Sequence, residues 1–520
     1  MSLSRRKLLL SSLGAAQVAL LGPASFLSSR PARAAVPGRP TKILCVYISG
    51  GLGHELMWAV SSDADVAKYA PAGNEGGVDA TMLGNFDGTG GGGGSVGPRP
   101  LRGTVTWNWD NPSDGGNSGY NPVGYAWAAP EYRLFENTVV IHGIDQGTAA
   151  HYSGYVAAMC GIAGSNFAAP AIPSVVANHF SAQFADRPLQ SVTIGVGPAP
   201  ALTLPTAANP ISLTSTADLR YSLSQDHAAW NGLKDRTDAP DVNFAGEAQD
   251  GTIPLTVVDK AVLDATRRFR NQSSAGTDVF LEGLYDQYRI LSKTLARDVV
   301  SVLDATPGVE HLPAAMSWAP DESRFGWRVG LADFIASDNM YLTQYDLVLR
   351  LLKSDLCTAV SFKLPTGIFL DTHTQPHIDH RNHLRGSMEA IGRLLIEMKL
   401  TPSVSQPGKT LLDETLVYVF SEFGRTFSTP GHGNAGTDHY PMTSAVLVGG
   451  GIVGNQMFGG FAGGDPNGVP VAVTEEGGDS GSRPLRAQDV AATIFTTMGM
   501  EMGADFFIPG GYGSVDGILP

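Results

Sequence analysis

Residues 414–426 read ETLVYVFSEFGRT, an apolar run that ends in a polar turn. A continuous run of β-branched, aromatic and aliphatic residues predicts a strand over 414–420 that is buried on both faces. Residues 357–364 and 444–448 have the same character, and a helical pattern over 376–400 follows the first of them. Strands that alternate with helices predict an α/β fold, in which helices cover both faces of a mostly parallel central sheet.

The same alternation continues on both sides of this stretch. Further strands are predicted at 41–49, 137–144 and 191–195, and further helices at 152–162, 172–184, 257–271, 278–305, 327–337 and 342–353. A Gly-rich surface insertion is predicted over 85–121, and a cap over the sheet at 198–340. Because ligands in such folds bind beyond the carboxyl ends of the strands, the polar residues next to strand ends are the candidates for chemistry.

The first 34 residues predict an export signal. Residues 4–9 read SRRKLL, a twin-arginine pattern, and the apolar run over 8–21 is shorter than the ~20 residues of a spanning helix. Small residues at positions 32 and 34 suit a signal peptidase. We therefore expect a signal over 1–34 and one domain over 35–520. The domain is expected in the periplasm or outside the cell, exported already folded by the twin-arginine machinery.

Charge and cysteine content limit the expected partners. The chain has a net charge of −14, and loss of the signal would remove five further positive charges. So acidic a protein is not expected to bind nucleic acid, and no later stretch is apolar and long enough to span a membrane. Three cysteines, Cys45, Cys160 and Cys357, are too few for a disulfide framework and are predicted to be buried thiols.

Asp371 and His373 lie after the end of the strand over 357–364 and before the helical stretch that begins at 376. A carboxylate and an imidazole together suit zinc, manganese or a related divalent ion. Three more histidines follow at intervals of three in the helical stretch: His377, His380 and His383. A polar helix surface is the commoner explanation for these three.

Two further polar turns lie near strand ends. Glu422 and Arg425 follow the strand over 414–420, and Arg425 could bind a phosphate or sulfate through two hydrogen bonds. An internal Glu422–Arg425 ion pair explains this turn equally well. Asp438 and His439 precede the strand over 444–448; both could ligate a metal, or Asp438 could orient the imidazole. A turn capped by Asp438 is the alternative. Together the three turns predict convergence at one edge of the sheet.

Three of these segments also carry a family resemblance. The quoted stretches are Asp371-Thr372-His373, Ser421-Glu422-Phe423-Gly424-Arg425-Thr426 and Gly436-Thr437-Asp438-His439. With the strand that follows them, they resemble a bacterial exported family called domain of unknown function 1501, over about 357–500. The resemblance implies an alkaline phosphatase/sulfatase-like fold and a divalent metal, zinc or manganese. The metal ligands that it implies are Asp371, His373, Glu422, Asp438 and His439.

The chain departs from that superfamily at two strand ends. Gly53, His54 and Glu55 follow the first strand, where the superfamily has a metal-binding aspartate, and Phe423 replaces a histidine. One metal is therefore expected rather than two. The resemblance implies three catalytic roles. Arg425 would hold the non-bridging oxygens of the ester, and His151 or, alternatively, His439 would transfer a proton to the leaving group. Thr148 would be the nucleophile, for which Ser153 is equally placed.

The expected function is hydrolysis of phosphate or sulfate esters, in a small molecule or a polymer. The alternative is a catalytically degenerate protein of the same fold, without a required metal, that binds a ligand or a partner in the cell envelope. A structural envelope protein has little support beyond the export signal.

Overall fold

The structure, a computed structural model, describes residues 38–52, 99–100, 125–128, 131–162, 170–184, 186–195, 210–213, 299–312, 339–364, 370–371, 373, 377–425, 438–458, 460–462, 469–471, 484–506, 508, 512–515 and 517–520. The strands are β1 Lys42–Tyr47, β2 Arg99–Pro100, β3 Thr138–Asp145, β4 Leu189–Ile194, β5 Ile211–Leu213, β6 Cys357–Lys363, β7 Thr415–Phe420, β8 Gly424–Arg425, β9 His439–Tyr440, β10 Met442–Gly449, β11 Gln456–Phe458, β12 Gly460–Ala462, β13 Val469–Val471 and β14 Leu485–Arg486. The helices are α1 Tyr125–Ala128, α2 His151–Cys160, α3 Ile172–Phe180, α4 Val299–Ala305, α5 Asn339–Lys353, α6 His377–Leu400, α7 Leu411–Glu414 and α8 Ala487–Thr497, with a 3₁₀ turn at Leu134–Asn137.

Ten strands form one sheet in the order β2-β11-β3-β10-β7-β1-β6-β4-β5, and β14 also pairs with β3. The neighbours from β7 to β5 are all parallel. Strand β10 is antiparallel to both β7 and β3, so β3 runs in the same direction as β7. A mostly parallel sheet with helices confirms the predicted α/β class.

Alternate residues of the central strands face two separate cores. Leu44 and Val46 of β1 belong to one core, which includes residues of α5 and α6. Ile43 and Cys45 belong to the other, which includes residues of α2, α3 and α8. The three cysteines are free and buried, as predicted. Burial raises the pKa of the Cys160 and Cys357 thiols to about 12, so neither is a nucleophile at neutral pH.

The predicted central strands are present, with ends within two residues of those expected. The helix expected over 172–184 ends at Phe180 and continues as a turn. The predicted helices over 257–271 and 327–337, the signal over 1–34 and most of the insertion and cap lie outside the described residues. Among the helices that the structure describes, none is both long and apolar enough to cross a membrane.

Strand direction creates two different sheet edges. The carboxyl ends of β1, β3, β6 and β7 lie at one edge, together with the amino end of β10, because β10 runs in the opposite direction. The segments that carry His151, Asp371, Glu422 and His439 therefore all lie at this edge, which we call the carboxyl edge.

The opposite edge holds a buried network of two cations and two carboxylates. The Lys42 Nζ lies 2.8 Å from Asp355 Oδ1 and 3.2 Å from Glu414 Oε1. The Arg187 Nη2 lies 2.8 Å from Asp355 Oδ1 and 3.3 Å from Glu414 Oε1. This amino-edge network joins the starts of β1, β4, β6 and β7, and its charges balance.

Candidate metal centre at the carboxyl edge

Three histidines from different parts of the chain surround the carboxylate of Asp371. His151 is the first residue of α2, His373 lies two residues after Asp371, and His439 begins β9. All four side chains are partly exposed: His151 is 49% exposed, His373 42%, Asp371 32% and His439 22%. A ligand from solvent can therefore reach the carboxylate and the rings that surround it.

Three ligand atoms form a nearly equilateral triangle. Asp371 Oδ1 lies 2.9 Å from His439 Nε2 and 3.0 Å from His373 Nε2, and the two imidazole nitrogens are 3.0 Å apart. In a tetrahedral site with bonds of 2.0–2.1 Å, ligand atoms are separated by about 3.4 Å. The triangle is therefore slightly contracted relative to three corners of a zinc site.

The other nitrogen of each ring lies against an oxygen acceptor. His439 Nδ1 donates to the Ala149 carbonyl oxygen at 3.0 Å, and His151 Nδ1 donates to Glu422 Oε1 at 2.8 Å. His373 Nδ1 lies 3.1 Å from Asp438 Oδ1. These oxygens favour a proton on Nδ1, which leaves the lone pair of each neutral ring on Nε2. Metal-ligating histidines are held in this way.

Lone pairs that face one another at 3 Å repel unless a cation lies between them. Two neutral rings and a carboxylate supply three such lone pairs, and one shared proton can bridge only two of the three atoms. A divalent ion bonded to all three atoms removes the repulsion completely. The donor set of the triangle therefore fits a metal.

His151 lies beside the triangle, next to the same carboxylate. Its Nε2 lies 3.5 Å from Asp371 Oδ2, on the other oxygen of the same carboxylate. The ligand atoms of His151, Asp371 and His439 all lie within 4.8 Å of one another, which is close enough to share an ion. The longer separation and greater exposure of His151 leave this side of the site more open than the triangle.

Hydrogen bonds and nearby cations decide the charge state of the two carboxylates. Burial raises the pKa of Asp371, but the close contact with the His439 imidazole and the charge and hydrogen bond of Arg425 outweigh burial and lower it. Burial also raises the pKa of Glu422, but donors from His151, Ser421 and the Gly50 backbone outweigh burial and lower it. Both groups are therefore ionised at neutral pH.

Arg425 lies beneath Asp371 and is fully buried, with its Nη1 donating to Asp371 Oδ1 at 2.8 Å. The glycine at position 51 makes room for it, because a Cβ there would lie 2.7 Å from Arg425 Cδ. The arginine therefore contacts the site through Asp371. It does not form the internal ion pair with Glu422 that the sequence left open: Glu422 is bonded to His151, Ser421 and Gly50.

Phe423 forms the apolar floor of the site. Its ring stacks on His439 with centroids 4.1 Å apart and contacts His151 at 4.8 Å. The phenylalanine is completely buried, so it limits how far either imidazole can rotate or retreat. Phe423, which offers no ligand atom, thus supports the rings of His151 and His439.

The remaining predicted residues lie around this cluster. Asp438 is 54% exposed and contacts His373 from outside. The Thr148 hydroxyl accepts from the Ala150 N–H at 3.1 Å, in the turn that begins α2. His377, His380 and His383 belong to α6, but their side chains lie outside the described residues, as do Gly53, His54 and Glu55.

The sequence did not identify the groups that orient these ligands. The Ala149 carbonyl orients His439, and the Gly50 N–H and the Ser421 hydroxyl hold Glu422, which in turn orients His151; two of these three groups belong to the backbone. No side-chain pattern identifies a backbone donor or acceptor. The signal that the sequence did offer was the Gly50-Gly51 pair after the first strand, because adjacent glycines are typical of a backbone turn with positive φ angles. Both residues have positive φ angles in the structure.

The segments that supply most of these side chains match a known family. Residues 347–512 match the family described as protein of unknown function (DUF1501). The matched region contains Asp371, His373, Glu422, Arg425 and His439, and it covers the range over which the sequence resembled that family. His151 and Thr148 lie outside it. Among curated proteins, no match to the chain was found.

Proposed function

We propose that this protein is an exported hydrolase of phosphate or sulfate esters that uses one divalent metal ion, in an alkaline phosphatase/sulfatase-like fold. The observation that carries the proposal is the triangle of Asp371 Oδ1, His373 Nε2 and His439 Nε2, with separations of 2.9–3.0 Å. The twin-arginine pattern at residues 4–9, with the apolar run that follows it, supports a location outside the cytoplasm.

The donor set favours zinc or manganese over magnesium or calcium. Two imidazole nitrogens and one carboxylate oxygen suit borderline transition metals, whereas magnesium and calcium prefer oxygen donors. When bound, such an ion would offset charge on the ester oxygens and lower the pKa of a coordinated water. With three protein ligands, one coordination position stays open to solvent or substrate.

His151 is the proton-transfer group of this proposal. Its hydrogen bond to Glu422 raises its pKa, an effect that burial partly opposes. A raised pKa keeps more of the imidazole protonated near neutral pH, so its Nε2 can donate a proton to the leaving oxygen. Its partial exposure beside Asp371 lets a substrate reach that nitrogen.

Asp371 and its supports hold the site in place. The carboxylate is fixed from below by Arg425, and the rings of His151 and His439 are supported by Phe423. Rigid support keeps the donors in position before substrate arrives, so little reorganisation is required during the reaction.

The test measures metal content and hydrolysis of aryl phosphate and aryl sulfate esters by purified protein, with and without a chelator. We expect about one metal ion per chain, turnover that the chelator abolishes, and loss of both in Asp371→Ala. Lys409→Ala serves as the control, because Lys409 is an exposed residue of a turn outside the site. Bound metal without turnover would favour the ligand-binding alternative. A folded protein that lacks both metal and turnover would overturn the proposal.

A further inference from the structure

A histidine ring separates the carboxylate of Glu422 from that of Asp371. The imidazole of His151 lies between the two carboxylates, with Nδ1 at 2.8 Å from Glu422 Oε1 and Nε2 at 3.5 Å from Asp371 Oδ2. The ring thus occupies the path by which Glu422 could reach an ion bound at Asp371.

Both oxygens of Glu422 are already engaged. Oε1 accepts from the Gly50 N–H at 2.9 Å as well as from His151, and Oε2 accepts from the Ser421 hydroxyl at 2.7 Å. The side chain is completely buried, so it has no contact with solvent through which an ion could approach.

The donors that hold Glu422 are themselves fixed. The Ser421 hydroxyl accepts from the Gly51 N–H at 3.1 Å while it donates to Glu422. This arrangement ties the end of β7 to the loop after β1. The carboxylate therefore cannot rotate without breaking hydrogen bonds to two different segments.

We infer that Glu422 is a positioning residue: it holds His151 with Nδ1 protonated and Nε2 directed at Asp371, and it does not ligate the metal. The catalytic consequence rests on the proposed function, whereas the ring orientation and the ligand set do not. Without Glu422, the half-exposed His151 ring could turn over, and its Nε2 would face the site only part of the time. Loss of such an outer partner costs about 10- to 100-fold in activity.

Glu422→Gln tests the ligand set with little change in shape. The glutamine oxygen can still accept from Gly50 and His151, and its amide can donate to the Ser421 oxygen. We expect zinc-loaded Glu422→Gln to keep one ion per chain with an unchanged dissociation constant. A loss of zinc affinity greater than the roughly 10- to 100-fold that an outer hydrogen-bond partner costs would show that Glu422 is a ligand and would overturn the inference. Glu389→Gln, at another fully buried carboxylate, is the matched control.

The tautomer of His151 can be observed directly by ¹⁵N NMR of histidine-labelled, zinc-loaded protein, with His151→Ala to assign its signals. We expect a protonated Nδ1 and an unprotonated Nε2 at high pH in the parent protein and in Glu422→Gln. A mixture of tautomers is expected in Glu422→Ala. A protonated Nε2 in the parent protein at high pH would contradict the inference. This measurement needs no enzymatic activity, so it stays informative if the protein proves to be a binding protein.

A double-mutant cycle tests the catalytic consequence. If Glu422 acts through His151, Glu422→Ala lowers kcat about 10- to 100-fold on an ester with a poor leaving group, and has no further effect in His151→Ala. Losses that multiply in the double variant would mean that Glu422 acts independently of His151 and would overturn the inference. Should Glu422→Ala not fold, the tautomer measurement on the parent protein tests the inference without that variant.

Discussion

Gly154 sets the distance between helix α2 and the site. A Cβ at this position would lie 1.9 Å from the Glu422 carbonyl oxygen, far inside van der Waals contact. Glycine costs a helix interior about 1 kcal/mol relative to alanine. The chain carries that cost at the fourth residue of α2, and the helix that begins with His151 can then lie directly against the end of β7.

Gly154→Ala is expected to lower the free energy of unfolding by about 1–3 kcal/mol, because the clash outweighs the gain in helix propensity. It should also weaken metal binding, since α2 and the Ala149 carbonyl move with it. Urea denaturation and metal titration measure the two effects.

Gly513→Ala is the control for this prediction, because nothing lies within 4 Å of a Cβ at that position. A Gly154→Ala protein that is more stable than the parent by about 1 kcal/mol, as in an unobstructed helix, would show that the close approach does not exist.

The amino-edge network acts at the level of elements, because its four charges join the starts of four strands. Lys42 is completely buried, and its three donors meet Asp355, Glu414 and the Leu352 carbonyl oxygen. A buried ion pair adds little net stability, but removing one partner leaves the other charge buried and unpaired. The network is therefore sensitive to single substitutions.

Lys42→Met is expected to lower the free energy of unfolding by about 3–5 kcal/mol, because Glu414 loses its main cation. Lys409→Met removes a lysine from an exposed turn and should change stability by no more than about 0.5 kcal/mol. Denaturation of both variants in urea makes the comparison. Equal, small effects would mean that the buried network is not formed.

The same network predicts a dependence of stability on pH. Burial raises the pKa of Glu414, but Lys42, Ser403, Ser405 and Arg187 outweigh it and lower the pKa. A depressed folded pKa gives stability that is complete above the unfolded value of about 4.3 and is lost as pH falls through the folded pKa.

We therefore expect the difference in unfolding free energy between the parent protein and Glu414→Gln to be constant at pH 5–7 and to shrink below about pH 4. Urea denaturation across this range measures the difference. A difference that grows on acidification would reverse the sign of the predicted shift.

Strand direction explains what the sequence could and could not predict about the site. Asp371 and Glu422 follow buried parallel strands, so their position at the carboxyl edge follows from the pattern of apolar residues. His439 precedes its strand, and in an all-parallel sheet it would lie at the opposite edge. Because β10 is antiparallel, its start lies at the carboxyl edge. The apolar run over 444–448 contains no signal for that direction, since strand polarity depends on pairing partners distant in the chain.

The ligand set was beyond the reach of sequence for a similar reason. The sequence showed the polar turns next to the strands, and the carboxylate and imidazole side chains in these turns indicated a metal site. Whether Glu422 or His151 faces Asp371 depends on how closely α2 approaches β7, and hence on Gly154. Packing between distant segments decides that distance.

At the scale of the whole molecule, the two edges of the sheet differ in their charged groups and in how far these groups are exposed to solvent. The amino edge holds two cations and two carboxylates that are almost completely removed from solvent. At the carboxyl edge, Asp371 and three histidines are partly exposed, and the described carboxylates there, Asp371, Glu422 and Asp438, contact the histidine rings. The charges of the amino edge balance without a ligand, whereas the carboxyl edge carries the donor set of the proposed metal site.

Titration of metal-free protein with zinc chloride, followed by calorimetry, tests this account most directly. We expect saturation at one equivalent in the parent protein. His439→Ala should weaken binding by more than the roughly 10- to 100-fold that loss of an outer hydrogen-bond partner costs. Lys409→Ala should bind as the parent does. Absence of saturable binding, or a zinc affinity that His439→Ala leaves unchanged, would contradict the metal centre.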